Sequence, residues 1–196
     1  MNPAPEPALA SSDGRRRRGQ DNRAKIVAAM LDIIHAGDLA PSAEQVAQRA
    51  DVGLRTVFRH FQDMDSLFRE MSVVIMGELH AVAETPFRSE DWRERVVELV
   101  ERRGRAFEEV GPFLRATSLL QRRSKYMDID HARLVKALRE ILRQQLPPAV
   151  ARDQPKLEAL DLLLSFEAWS RLRREQGLSP QRAQDTLVAA IRRLID

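Results

Sequence analysis

Apolar residues recur along this chain three and four positions apart, the spacing that gathers them on one face of an α-helix. Ile26, Val27, Met30, Ile33 and Ile34 form the first such stripe, and Gly37 closes it. Ser42, with Gln45 three places on, is a capping-box pair that predicts a short helix over 43–50. Asp51-Val52-Gly53 reads as a tight turn, and a second short helix follows from Leu54 to about Phe61. Asp63 can cap a longer helix, over about 63–84, carrying Leu67, Met71, Val74, Ile75, Leu79 and Val82, with Pro86 at or just past its end.

Farther along, Ser89 is the expected cap of a helix carrying Trp92, Val96, Val100, Phe107 and Val110, which Gly111-Pro112 should break. A shorter helix with Phe113, Leu114, Leu119 and Leu120 should follow, then one over about 128–146 stopped by Pro147-Pro148. A long helix is expected from about Gln154 to Gln176, ended by Gly177. Ser179-Pro180 opens a last helix, whose stripe is Ala183, Leu187, Ala190, Ile191 and Leu194. No segment alternates as a strand would, so the pattern predicts an all-α protein of about nine helices.

Composition narrows the class. With 196 residues, 43% of them apolar and 31% charged, the chain can bury a core and reads as globular. It has no cysteine, which excludes a disulfide scaffold, a thiolate metal site and a cysteine nucleophile. The longest stretch without a charge is Gln144 to Ala151, too short to span a membrane. No apolar run follows the early arginines, so no secretory signal is expected and the location should be cytoplasmic. The net charge is only +3, but its distribution is uneven, and all basic residues except Lys25, Lys125, Lys136 and Lys156 are arginine. Arginine keeps its charge and forks onto phosphate, although a GC-rich coding bias gives the same composition. Residues 1–19, with three prolines, Gly14 and the run Arg15, Arg16, Arg17 and Arg18, read as a disordered basic arm.

The informative pattern lies within 24–68. One helix precedes two short helices joined by a three-residue turn, the geometry of a helix-turn-helix whose second short helix fits a major groove. Val46, Ala47, Ala50, Val52, Val57 and Phe61 would lock the pair together. Leu54, Arg55, Thr56, Phe58, Arg59 and His60 are left for the outer side, offering donors for phosphate, a guanine reader and apolar groups for a thymine methyl. Ser42 and Glu44, at the start of the supporting helix, are counted with these candidates. Glu44 suits either the positive end of that helix or the amino group of a cytosine.

The stretch from Ala50 to Phe61, with its Arg-His-Phe ending, and Leu67-Phe68 after it, resembles the signature of the TetR family of transcriptional repressors. The basic arm, the single helix before the motif, the long linking helix and the ending from Ala168-Trp169 through Gly177-Leu178-Ser179-Pro180 agree with that family's plan. The resemblance implies a DNA-binding domain over 20–68 and a ligand-binding and dimerisation domain over 69–196. It implies a homodimer, paired through the last two helices, that holds a roughly palindromic double-stranded operator and releases it to a small-molecule effector. By register, Leu54 to His60 would be the recognition helix, with Leu54, Arg55 and Thr56 toward bases or nearby phosphates and His60 near the backbone. Three features depart from the family pattern. Phe58 stands where a tyrosine is usual, Met64 where a lysine is, and Asp51 and Gly53 replace the usual turn of glycine and serine. The arginine arm is expected to compensate through a minor groove.

For the effector, the candidates are the large side chains of the middle helices: Trp92, Phe107, Phe113, Tyr126, Met127, His131, Phe166 and Trp169. Arg103 joins them because it falls within an apolar stripe, where it would hold an anionic ligand, pair with a buried acid or snorkel outward. No cofactor, catalytic residue or metal ligand is assigned. The chain has no Gly-x-Ser-x-Gly elbow, no phosphate-cradling glycine loop and no His-Glu-x-x-His site, and His35, His60, His80 and His131 lack paired ligand spacing. Two other readings stay open at this point: a ligand-independent helical DNA-binding or adaptor protein, and a small all-α enzyme.

Overall fold

The computed structural model describes the backbone of residues 9–121 and 125–196 and the side chains of residues 19–77, 79, 84–119, 129 and 131–196. Ten α-helices are described: α1 (Leu9–His35), α2 (Ala43–Arg49), α3 (Leu54–His60), α4 (Met64–Glu84), α5 (Trp92–Gln121), α6 (Lys125–Gln145), α7 (Pro148–Arg152), α8 (Gln154–Leu163), α9 (Phe166–Ser170) and α10 (Pro180–Ile195). A π-helical turn, Arg171–Glu175, follows α9. The chain divides into two compact units, Met1–Met71 and Ser72–Asp196, and the division falls inside α4.

In the first unit α1 packs on α2 and α3, and α2 packs on α3. The core is the first apolar stripe, Ile26, Met30 and Ile34, closed by Val46, Ala47, Val57, Phe61, Leu67 and Met71. Burial of these side chains, rather than intrinsic propensity, holds helices as short as α2 and α3. Local signals set their ends. Gly37, at φ 105°, ends α1 in a Schellman turn in which the Gly37 and Asp38 amides donate to Ile34 and Ile33. Ser42 closes the expected capping box with Gln45.

One boundary in this unit differs from the sequence reading. The arm expected to be disordered is helical from Leu9, as the first part of α1. Alanine and arginine are good helix formers, and a helix once nucleated at its buried stripe adds a bond for each further residue. Residues 1–8 and the side chains of Arg15, Arg16, Arg17 and Arg18 lie outside the described residues.

In the second unit α5 is the central element, packed against α6, α9 and α10, while α8 packs on α6, α7, α9 and α10. The buried side chains of this unit include Val96, Val100, Phe107, Val110, Phe113 and Ala116 of α5, Leu134 and Leu142 of α6, Leu157 and Leu160 of α8, and Ala183, Leu187 and Ile191 of α10. Gly111-Pro112 does not break α5, which runs through it. A proline inside a helix costs about 3 kcal/mol or more. Val110, Gly111, Phe113, Leu114, Ala116 and Thr117 are all buried around it, and that packing outweighs the local penalty.

The helix expected over 154–176 is three pieces. Ser165 interrupts it as the cap of α9, its hydroxyl accepting from the Ala168 amide at 3.1 Å, and the π turn follows with Gln176 donating to Arg171. Proline at the second helical position opens α8, and α7 forms between Pro147 and Asp153, where no helix was anticipated. Asp91, not Ser89, caps α5: its carboxylate accepts from the Arg93 amide, while Ser89 accepts from Asp91.

Candidate functional site

The turn between α2 and α3 is built on Asp51, whose φ of 53° is the left-handed conformation that short polar side chains tolerate best after glycine. Its amide donates to Gln48, and that of Val52 to Ala47, a Schellman turn that fixes the direction in which α3 leaves. Gly53 is the N-cap of α3 at φ −69°, an ordinary conformation, and supplies no side-chain bond. The turn thus places its strained position at Asp51 and leaves Gly53 without a conformational need for glycine.

Only Val57 of α3 is fully buried. Arg55 and Arg59 are exposed, Thr56 is half-buried, and Leu54 and Phe58 are 38% and 48% exposed despite their size. The outer face of α3 therefore carries an apolar pair and a basic pair, each spaced four residues and so in line along the helix. His60 departs from an outward role: its ring is half-buried, and its Nε2 is buried with no hydrogen-bond partner among the described residues. Burial, then the neighbouring charges of Arg59 and Arg23, lower its pKa below the ordinary value.

Sequence reasoning missed Arg23. Its Nη1 donates to the His60 carbonyl at 2.9 Å, at the last turn of α3. Nε and Nη2 fork onto the Glu70 carboxylate at 3.0 and 2.9 Å, and the guanidinium lies over the Phe61 ring at 4.5 Å. One side chain thereby ties α1 to the end of α3 and the start of α4. The signal for it was a single polar position beside the first apolar stripe, which looks like any solvated face. Arg49 to Asp32, at 2.9 Å, ties α2 to α1 in the same way.

Ser42 and Glu44 are exposed, and both are engaged at the start of α2. The Glu44 carboxylate accepts from its own backbone N–H and from the Ser42 hydroxyl, which hold its pKa below the ordinary range. The geometry matches the helix-terminus role of these two residues.

In the second unit three small cavities lie along the α5–α6 seam. One of about 50 Å³ is lined by Phe87, Leu99, Arg103, Phe107, Leu138 and Ile141 among others. One of about 30 Å³ is bounded by Phe113, Leu114, His131 and Leu134, and one of about 70 Å³ by His131, Leu138, Asp161, Ser165 and Phe166. They share walls, His131 and Leu134 between the second and third, Leu138 between the first and third. Of the sequence candidates, Arg103, Phe107, Phe113, His131 and Phe166 thus line a cavity, and Phe107 meets Phe166 edge to face at 5.5 Å. Tyr126 and Met127 have side chains outside the described residues.

Trp92 and Trp169 line none of these three cavities. Trp92 carries the Arg93 guanidinium over its ring at 4.6 Å. Trp169 is buried against Gly104, where an added Cβ would come within 2.6 Å of the indole, and its Nε1 donates to Glu108 at 2.8 Å. Glu108 also accepts from Arg173, whose Nη1 donates on to the Leu178 carbonyl.

Arg103 is 6% exposed and does not snorkel. Its Nη1 donates to the Leu164 carbonyl at 2.9 Å, at the end of α8, and its Nη2 to Leu138 at 2.5 Å. Burial lowers its pKa to about 10, against an opposing field from Asp161. Asp161 is itself bridged by Arg139 at 3.0 Å. Nearby, a charged groove of about 290 Å³ holds Arg88, Glu98, Glu101, Arg102 and Arg105, joined to one another by ion pairs. Burial would raise the Glu98 pKa, but the Arg88 amide and the Arg102 guanidinium outweigh it and hold it low.

Among the described residues no cluster of histidine, aspartate and glutamate is placed to hold a metal, and no helix is long and apolar enough to cross a membrane.

No protein-family model and no curated protein matches the sequence. Solved structures do match the fold. A transcriptional regulator from Rhodococcus sp. Rha1 superposes with a TM-score of 0.72 at 17% identity, over 88% of this chain and 95% of that one. A TetR transcriptional regulator from Rhodococcus sp. RHA1 gives 0.57 at 18% identity, over 89% and 96%. The multidrug binding protein EbrR, complexed with imidazole, gives 0.54 at 18% identity, over 85% and 93%. The chain has the all-helical fold of TetR-type transcriptional regulators, an N-terminal helix-turn-helix followed by a larger helical region.

Proposed function

We propose that this chain is a ligand-responsive, DNA-binding transcriptional regulator, a repressor that leaves a palindromic operator when a small molecule binds. The observation that carries the reading is the outer face of α3. A seven-residue helix is locked from behind by Val57 and Phe61 and from its end by Arg23, and it presents Leu54, Arg55, Phe58 and Arg59 outward. That is what insertion into a major groove requires: a rigid rod, cations for phosphate and side chains for base edges. The arginines at 15–18, carried on α1, add to the positive charge of the same unit.

The partner is a second copy, paired through α8 and α10. Those helices pack on each other and leave Leu162 of α8 66% exposed and Leu194 of α10 half-buried, apolar surface suited to a four-helix seam. The effector site is the row of cavities between α5 and α6. Each is far smaller than the roughly 300 Å³ of an ordinary ligand pocket, so the ligand enters by displacing the shared walls, His131, Leu134 and Leu138. EbrR, a multidrug binding protein of the same fold, supports a ligand-binding role for the chain. Release follows if the ligand prefers a dimer whose two α3 helices are not spaced roughly 34–36 Å apart. Near-complete switching needs about 5.5 kcal/mol of differential affinity.

Selection of bound fragments from a random duplex pool tests the reading. The expected result is a pseudo-palindromic site protected by a dimer, with a steep salt dependence that flattens when residues 1–19 are deleted. A monomer without sequence preference at moderate ionic strength overturns it.

A further inference from the structure

The apolar pair on α3 has a more specific reading. Leu54 and Phe58 are the two large hydrophobic side chains of α3 that stay exposed, at 38% and 48%. The core side of this helix is already supplied by Val57, with Phe61 just beyond its end. Single exposed apolar residues are common on any surface. Here two fall four residues apart on a helix of seven, beside Arg55 and Arg59 at the same spacing. No hydrogen bond or ion pair among the described residues ties up either guanidinium. The strip is therefore apolar on one line and cationic on the next, and the cationic line favours a polyanion over a protein partner.

In the major groove the apolar feature of a base-pair edge is the 5-methyl group of thymine. Four residues of helix advance about 6 Å, close to two base-pair steps of about 3.4 Å each. We propose that Phe58, with Leu54 beside it, seats against thymine 5-methyl groups, so that each operator half-site is read through a methyl group as well as through hydrogen bonds. The proposal rests on the DNA-binding reading above and adds what α3 selects.

The test uses the full-length protein and the duplex recovered by selection. Each thymine is replaced in turn by deoxyuridine, which removes the methyl group and leaves every hydrogen-bonding atom in place. Burying one such group is worth about 0.8 kcal/mol, or about fourfold in Kd. The expected result is a fourfold loss at one or two thymines in each half-site and none elsewhere. Phe58→Ala should bind the thymine duplex more weakly and no longer distinguish it from the deoxyuridine duplex at its position. Phe58→Leu, which keeps an apolar side chain, should retain part of the distinction and guards against a folding failure in the alanine variant. Equal binding of fully deoxyuridine-substituted duplex overturns the methyl readout while leaving sequence-specific binding intact. Undiminished discrimination by a folded Phe58→Ala overturns the assignment to Phe58. Absence of any selected site overturns the DNA-binding reading instead.

Discussion

In the first unit the turns between the short helices are set by neighbours in sequence; the second adds polar ties between residues much farther apart along the chain. Gly37, the Ser42–Gln45 box and the Asp51 turn each act within a few residues. Between Ser72 and Asp196, beside local caps such as Asp91 and Ser165, the helices are tied by Arg103 on Leu164, 61 residues away, Trp169 on Glu108, also 61 away, and Arg93 on Ile195, 102 away. The first unit can spare its outer face for another molecule, since its core and turns are complete without it. The second spends its polar groups on holding itself together, and its cavities are what that packing leaves over.

The contrast can be broken most forcefully at Gly104. Replacing it with leucine puts a side chain where a Cβ alone would lie 2.6 Å from Trp169. Overpacking of this kind should destabilise the second unit by roughly 3 kcal/mol. Chemical denaturation followed by tryptophan fluorescence reads the effect, and an unshifted midpoint would show that Trp169 is not held there. Arg103→Ala should cost about 2 kcal/mol, because it leaves two carbonyls without their donor in a buried site. Arg103→Met should cost less, since it fills the space and removes a buried charge. The reverse order of the two variants would mean that the site collapses around alanine and has no room for the methionine side chain.

The first unit offers two finer tests. His60 has a folded-state pKa below its ordinary 6.5, with burial as the leading cause. The unfolded chain therefore takes up the proton first as the pH falls. The contribution of His60 is complete above about 6.5, declines as the pH falls toward the lowered folded value, and is constant below it. Stability measured between pH 7 and 5 should fall more steeply in the wild type than in His60→Gln, and equal slopes would refute the shift. The smallest effect is expected at Gly53, which has open space and an ordinary φ at the N-cap of α3. Gly53→Ser should stabilise the unit by a few tenths of a kcal/mol through a new bond to α3. Amide exchange across 54–60 would detect it, and faster exchange would show that the serine hydroxyl does not cap.

How much could be read in advance follows the same division. The stripe at Ile26 to Ile34, the capping box and the exposed Leu54, Arg55, Phe58 and Arg59 of α3 were legible because each is a local pattern with a fixed period or spacing, whereas His60, expected on the same outer side, is half-buried. Arg23 was not, because a polar residue beside an apolar stripe looks the same whether it meets water or clasps three helices. In the second unit the local rules misled. Gly111-Pro112 is a breaker by composition, yet α5 passes through it, and the continuous apolar pattern from Gln154 hid the stop that Ser165 makes. Trp169 and Arg103 were both candidates for an effector contact; one packs on a glycine and the other donates to two backbone carbonyls.

The sequence by itself determined the helical class, the two short helices with their turn, and which side chains α3 has to offer, because these depend on periodicity, caps and turn residues within a few positions of one another. Which breakers would be overridden, which buried polar groups would find partners, and where space would remain between α5 and α6 were decided only in the tertiary structure. Those outcomes depend on how side chains distant along the chain fill one volume, and no local window contains that information.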